Sequence, residues 1–293
     1  MKEPPPLVRN YRPGDLAAYV LLHVDAEMAD RAGRSTSMTA LCEVLGRPGF
    51  SPERDLFVAE VDGAVVGCVI LTPESGIGRV ILECLVHPEH RRKGLATELC
   101  RVAERRGMEL GAKVLQGSCD EGNIPARGLV SALGFRYVHR FLELELALSQ
   151  SAPTAAADPE CRHLRLGEES TLAELQNRSF AGTWGYNPGT VEEISYRLNL
   201  SDSSPEGVVL VQHRGELAGY CWTTIDDESS AASDPRRGRV HMIGILPGIR
   251  GAGLGRRVLM AGLASLAVRG AKVVDLSVDS ENTAAIALYN SVG

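Results

Sequence analysis

The sequence predicts an α/β (α+β) chain folded as two similar domains, and three observations support that expectation. First, Arg250-Gly251-Ala252-Gly253-Leu254-Gly255-Arg256-Arg257 follows an apolar run, His241–Leu246, that Pro247 ends. After it, Leu254, Val258, Leu259, Gly262, Leu263 and Leu266 recur at helical spacing, so the order is strand, glycine-rich loop, amphipathic helix. Second, Val86-His87-Pro88 followed by Arg91-Arg92-Lys93-Gly94-Leu95-Ala96 repeats that order 159 residues earlier. Without gaps, residues 91–134 align with 250–293 and 13 of the 44 pairs are identical. A period this long means two whole domains, not solenoid repeats. Third, 55–67 reads as two alternating apolar strands around an Asp-Gly turn, and 208–219 is its counterpart at an offset of 152.

The elements follow in order. Leu7–Tyr11 reads as a strand, and Pro13-Gly14-Asp15 leads into a helix from Leu16. After the first loop, Leu95–Leu110 is a helix, Lys113–Cys119 a strand, and Asn123 opens a short helix whose Pro125 sits in the tolerant first turn. Tyr137–Leu148 supplies a closing strand. The Ser-, Ala-, Pro- and Thr-rich stretch 149–160 is a linker. The second half opens alike, with a strand over Cys161–Leu166 and a helix to Ser179. The seven residues that separate the two offsets fall in Asp226–Arg239, a loop rich in Asp, Ser and Ala. The expected domains are therefore 1–148 and 161–293. The second stops at Gly293, aligned with Gly134, so it is expected to lack its last strands unless one comes from elsewhere in the chain.

Composition narrows the function. At 293 residues the chain suits two domains. A net charge of −6 argues against a broad nucleic-acid surface. The longest uncharged apolar run, Val258–Val268, is too short to span a bilayer, and Met1-Lys-Glu-Pro-Pro-Pro has no apolar signal core. The seven cysteines are scattered, odd in number and never in a C-x-x-C pair, which suggests a reducing cytoplasm. The histidines show no metal-ligand spacing, so no metal is expected. Oligomeric state is left open.

Three glycines and three arginines in one loop exceed what a tight turn needs. The first N–H groups of a helix lack intrahelical partners and the helix dipole makes that end positive, so the loop suits a phosphate. Arg250, Arg256 and Arg257 would add charge-assisted contacts. The string is neither a P-loop nor a dinucleotide fingerprint, because the third glycine of the latter would fall on Arg256. Arg-x-x-Gly-x-Gly after a strand ending in Val/Ile-x-Pro resembles the acetyl-CoA pyrophosphate loop of the GNAT acetyltransferase superfamily, and the chain is similar to its tandem members, the mycothiol synthase group among them.

That resemblance implies two GNAT domains, each a mixed, mostly antiparallel sheet flanked by helices. It implies acetyl-CoA as cofactor and a small-molecule amine as acceptor. Cofactor contacts would come from Ile245, Leu246, Arg250, Gly251, Ala252, Gly253, Leu254, Gly255, Arg256 and Asn282. In the first half they would come from Val86, His87, Arg91, Arg92, Lys93, Gly94, Leu95, Ala96 and Asn123. The superfamily's acid is a Tyr in Asn-x-x-Ala-x-x-Leu-Tyr, matched in full by Asn282 to Tyr289. A phenol can protonate a departing thiolate. Val130 stands at that place in the first half, so the C-terminal domain is the expected catalytic one and the N-terminal domain is cofactor-binding or vestigial. Glu83 and His241, on the two loop strands, are candidate bases or ordinary polar strand positions. Trp184 and Tyr186 lie where the acceptor would enter, as a wall of its site or as loop anchors. A non-catalytic acetyl-CoA sensor and a protein N-acetyltransferase are the alternative functions.

Overall fold

The computed structural model describes residues 6–33, 36–148, 158–225 and 235–293. It divides into two units, 1–137 and 138–293. Residues 149–157 of the expected linker and 226–234 of the expected loop lie outside the described residues.

In the first unit, β1 (Leu7–Asn10) is followed by α1 (Leu16–Asp30), α2 (Met38–Leu45) and the single turn α3 (Pro52–Asp55). Then come β2 (Leu56–Val61), β3 (Ala64–Glu74), β4 (Arg79–Val86), α4 (Leu95–Glu109), β5 (Val114–Gly117) and α5 (Ile124–Ala132). The sheet runs β1-β2-β3-β4-β5, antiparallel until β4 meets β5 in parallel. A parallel pair needs a crossover, which α4 supplies. Helices cover both faces. Leu95, Leu99, Cys100 and Ala103 of α4 pack on one face, while Tyr19 and Leu22 of α1 meet Leu56, Val58, Cys68 and Ile70 on the other.

The second unit contains β6 (Phe141–Ala147), β7 (Cys161–His163), α6 (Glu169–Phe180), α7 (Val191–Leu198), β8 (Val208–His213) and β9 (Glu216–Ile225). β10 (Arg237–Ile245), α8 (Leu254–Val268), β11 (Val273–Asp279) and α9 (Thr283–Asn290) complete it. β10 begins inside the stretch expected to be loop. Period-two alternation sends Cys221 of β9 toward α8, and Tyr220 and Trp222 toward α6 and α7, which builds two apolar layers. Gly262 lets α8 lie close to the sheet, because a Cβ there would be 2.6 Å from Cys221 Sγ.

The closing strand corrects the domain assignment. Residues 141–147 belong not with the first sheet but with the second, whose order is β6-β11-β10-β9-β8-β7. β6 pairs antiparallel with β11 from Phe141↔Asp279 to Ala147↔Val273. Leu142, Leu144 and Leu146 are partly buried, whereas Glu143 and Glu145 face outward. Those carboxylates meet Arg239 and Arg237 of β10, and Arg237 also reaches Asp275 of β11. The second sheet therefore does gain a final strand, from the segment that follows the first unit. The expected boundary at 148 moves to 137. An alternating strand fits either sheet edge by pattern alone; here it pairs with β11 along its whole length, and the charge pairs add to that edge.

Candidate active site

The two glycine-rich loops have one geometry. In the second unit Gly251 and Gly253 adopt φ of +83° and +79°, and nothing lies within 4 Å of where a Cβ would be on either. Gly253 caps α8, and the first helical bond runs from the Arg257 N–H to the Gly253 carbonyl. The N–H groups of Leu254, Gly255 and Arg256 thus point out of the helix end toward open space, where the dipole is positive. The Leu254 side chain is buried, so it offers only its N–H. The first unit repeats this with Gly94 at +84° and Glu98 bonding back to the Gly94 carbonyl. There, however, Arg92 holds φ +65° at the place of Gly251. Arg92, Lys93 and Gly94 are exposed, Leu95 is buried and Ala96 lies between.

Beside each loop the sheet opens. β10 pairs with β11 only from Arg237↔Val273 to Val240↔Leu276, although both strands continue beyond. In the first unit β5 ends at its last pair, Leu82↔Gly117, while β4 runs on to Val86. His241 sits at a bulge where the β9–β10 register shifts. Leu246 donates its N–H to Ala218, so alternation turns the N–H groups of Ile243 and Ile245 toward the gap. In the first unit His87 donates to Val66, which leaves Val86 facing the gap. Of the four backbone positions expected at the cofactor, Ile245 and Val86 keep an open N–H, whereas those of Leu246 and His87 are engaged. The glycine-lined helix end fits a diphosphate, and the unpaired strand edge fits an extended amide-bearing arm.

The arginines of the loops are also engaged with protein groups. Arg250 donates Nε to the Ile245 carbonyl at 3.0 Å and a terminal N–H to the Ser179 carbonyl. Arg256 holds the carbonyl and hydroxyl of Ser291, and Arg257 pairs with Asp158 and Glu160. Arg91 likewise bonds the Val86 carbonyl and forks onto Asp30 at 2.7 and 2.8 Å. These guanidinium groups fasten the loops, and the first backbone N–H groups of each helix have no intrahelical partner. Asn282 and Asn123 each cap a helix, accepting the N–H of Ala285 or Ala126 at 3.1 Å, so only their amide NH2 remains for a ligand.

Tyr289 lies on α9, half-buried against the α8 layer. Burial, with a smaller contribution from the Cys221 thiol, pushes its phenol up to about 12. Its neighbour Leu288 would be 3.4 Å from a Cβ on Gly255, so this end of α9 leans on the loop. Val130 takes the corresponding place in α5. His241 packs edge-on against Trp222 at 5.5 Å. Burial, Arg197 and Arg239 pull its imidazole down to about 3, so it is neutral near pH 7 and a weak base there. Glu83 is exposed on β4, in the half without a tyrosine on α5. The two candidate bases thus belong to different units.

Tyr186 and Trp184 prove to be structurally engaged. Tyr186 stacks on Phe180 at 5.3 Å and donates its hydroxyl to Asn177 at 2.7 Å. Trp184 stacks on His139 at 4.0 Å and 14°, and His139 Nε2 is 2.7 Å from Asp279 Oδ1. The strand preceding the second half thus reaches the mouth of its gap, which sequence order concealed. Sequence reasoning also missed Gln176, Ser179 and Tyr220, whose buried polar atoms Oε1, Oγ and OH lack a hydrogen-bond partner among the described residues. The alignment of the two halves held a signal for Tyr220, which faces Cys68 across the repeat. Among the described residues no three His, Cys, Asp or Glu side chains are grouped to hold a metal, and no helix is long and apolar enough to cross a membrane.

Comparison with known proteins gives a consistent picture. The model of the acetyltransferase (GNAT) family matches residues 12–135 and again 170–293. A mycothiol acetyltransferase of Thermobispora bispora is 32% identical over 287 residues, covering 96% of this chain and 92% of that protein. The mycothiol acetyltransferase of Amycolatopsis mediterranei is 29% identical, covering 87% and 89%. Among solved structures, a GCN5-related N-acetyltransferase from Sphaerobacter thermophilus superposes with a TM-score of 0.72 at 21% identity, over 94% of this chain and 87% of that one. A tandem GNAT protein from the clavulanic acid biosynthesis pathway gives 0.68 at 19%, over 99% and 94%. At those identities the two structures speak for the fold.

Proposed function

The chain belongs to the acetyltransferase (GNAT) family, and from that premise we propose that its second unit is an N-acetyltransferase moving an acetyl group from acetyl-CoA to a primary amine of a small molecule. The acceptor we favour is a cysteinyl amine on a glucosaminyl-inositol, the class implied by the likeness to the mycothiol acetyltransferases. The observation that supports the placement is the parted β10–β11 edge with an open glycine loop at its end and Tyr289 beside it, all in one unit.

When bound, acetyl-CoA supplies an activated acyl thioester. The N–H groups at the start of α8 hold its diphosphate, and those of Ile243 and Ile245 receive the extended arm and the thioester oxygen, where donors stabilise developing negative charge. Arg250 keeps this edge in place by tying the Ile245 carbonyl to the loop. Tyr289, protonated at neutral pH, gives its proton to the leaving sulfur. The first unit keeps a loop and an open strand edge but has Val130 where the phenol would stand, which suits binding without transfer.

The test is acetyl transfer from acetyl-CoA to the cysteinyl glucosaminyl-inositol, followed by appearance of free thiol. Tyr289→Phe is expected to lower kcat by about 100-fold or more while the Kd for acetyl-CoA stays within about twofold. Binding without transfer to this or any small amine would instead favour the sensor. Unchanged turnover would remove Tyr289 from the chemistry.

A further inference from the structure

Two thiols of the first unit lie against one another beside its glycine-rich loop. Cys84 stands near the end of β4, and Cys100 lies in the second turn of α4. Period-two alternation turns Val80, Leu82 and Cys84 to one face, where Cys84 packs against the layer that holds Leu99 and Cys100. The two side chains are hydrogen-bonded to each other, and neither is in a disulfide. Cys100 is 6% exposed. Cys84 lies beyond the last β4–β5 pair, Leu82↔Gly117, so β5 does not cover it, and it is partly exposed. The pair is thus approached from the Cys84 side.

The duplicated half shows that packing alone does not ask for sulfur here. At the offset of 159, Ile243 stands for Cys84 and Leu259 for Cys100. The strand registers agree, since Val69↔Cys84 corresponds to Cys221↔Ile243. Ile243 and Leu259 belong to one apolar layer, as an ordinary aliphatic contact. The two thiols of the first unit are also chemically unequal. The Cys84 S–H donates to Cys100 Sγ, which pulls Cys100 below the ordinary thiol value although burial opposes it. The same bond, with desolvation adding to it, pushes Cys84 well up. The thiolate is the reactive form, so Cys100 is the nucleophile and Cys84 the partner that closes on it.

We propose that Cys84 and Cys100 are a modification site, at which hydrogen peroxide joins them in a disulfide that closes the first glycine-rich loop covalently. Cys100 sulfur attacks the peroxide, the S–O bond forms, the O–O bond breaks, and the departing oxygen leaves as water with the proton that Cys100 gave up. Cys84 sulfur then attacks the sulfenic sulfur of Cys100, the S–S bond forms, the S–O bond breaks, and a second water leaves with the Cys84 proton. Two thiols and one peroxide become one disulfide and two waters, with two electrons passing from sulfur to oxygen. Hydrogen-bonded thiols already lie side by side, so closure asks for a small shift of each side chain. The bond ties the end of β4 to the second turn of α4 and makes residues 84–100 a ring that carries Val86, His87, Arg91 and Gly94. In the reduced protein reversible contacts fasten that span: Arg91 to the Val86 carbonyl and Asp30, and the His87 N–H to the Val66 carbonyl. The second unit, with Ile243 and Leu259, has no counterpart to the bond, so oxidant locks one loop and leaves the other as it was.

The test is treatment of the whole protein with hydrogen peroxide, blocking of the remaining thiols and peptide mass mapping, with amide hydrogen exchange followed on the same samples. The expected map holds a Cys84–Cys100 peptide pair that dithiothreitol returns to two thiols. Exchange over residues 86–96 is expected to slow about 10-fold or more in the oxidised protein, while residues 245–255 exchange alike in both states. Cys100→Ala is expected to abolish the cross-link and the slowing. Cys84→Ile with Cys100→Leu, which installs the pair that the second unit packs at those places, is expected to do the same with the fold intact. Cys84 and Cys100 recovered as free thiols while the exposed Cys42 and Cys119 are oxidised would overturn the proposal. So would either cysteine joined elsewhere, or exchange over 86–96 that is equal in the oxidised and reduced protein. The wild-type map decides the matter if a variant fails to fold, and none of these readouts depends on acetyl transfer.

Discussion

Gly253→Glu separates folding from cofactor binding. Gly253 caps α8 with φ +79°, and no atom lies within 4 Å of the new Cβ. The folding cost is therefore the left-handed backbone alone, about 1–2 kcal/mol. Binding suffers far more. The new carboxylate stands at the helix end proposed to receive the diphosphate, where it would displace contacts from N–H groups to a charged ligand. Such hydrogen bonds are worth roughly 1.5–3 kcal/mol each, so loss of two raises the Kd by about 100- to 10,000-fold. The assay is calorimetric titration with acetyl-CoA, with urea unfolding on the same sample. Gly94→Glu, at φ +84° in the first unit and equally unobstructed, is the matched control. Two sites in the wild type, of which each variant removes one, would show both loops binding. An unchanged Kd in Gly253→Glu, or loss of a single site through Gly94→Glu, would refute the assignment of the working loop to the second unit.

Other expectations follow from the same packing. His241 is held at about 3 against an ordinary 6.5, so the folded state refuses a proton that the unfolded chain accepts. Its contribution to stability is complete above pH 6.5 and is lost as pH falls toward 3. Between pH 6.5 and 5 that loss is about 2 kcal/mol, and urea midpoints at the two pH values should differ by less in His241→Gln. Equal pH sensitivity in the two proteins would sink the argument. Gly262→Ala places a methyl 2.6 Å from Cys221 Sγ and should cost about 1–3 kcal/mol in denaturant titration. Adding Cys221→Ala should recover part of it, and strict additivity would contradict the proposed contact. Leu144→Glu in β6 should destabilise the unit that contains β11 and Tyr289, with loss of transfer activity, because it puts a charge on the apolar side of that strand. A variant in which only the first unit unfolds early would restore the original boundary.

The fold was largely legible because it was written twice. Helical spacing after Gly253 and again after Gly94, and an Asp-Gly turn between alternating strands, are local signals that the same chain confirms against itself. What escaped was of two physical kinds. The destination of β6 is non-local: Leu142, Leu144 and Leu146 alternate as any edge strand does, and its partners on β11 and β10, the arginines 92 to 96 residues away among them, lie far along the chain. The partners of the loop arginines are likewise set by geometry. Charge near a glycine loop suggested phosphate contacts, and Arg250 and Arg256 also answer carbonyl groups left over at the ends of a strand and of helices. Tyr289 was legible as a motif, but its perturbed phenol depends on burial and on Cys221, two strands away in the sequence.

The differences between the two halves are not scattered. Both units keep the parallel pair at the loop strand, the left-handed glycine before the helix, and the arginine tied to the last strand carbonyl. The phenol of the Asn-x-x-Ala-x-x-Leu-Tyr string is present in one. Tyr289 faces Val130 across the repeat, Tyr220 faces Cys68, Ser179 faces Ala26, and Gly244 faces Leu85. The first half keeps the left-handed glycine before its helix but holds Val130 where the second has Tyr289, and Arg92, at φ +65°, where the second has Gly251.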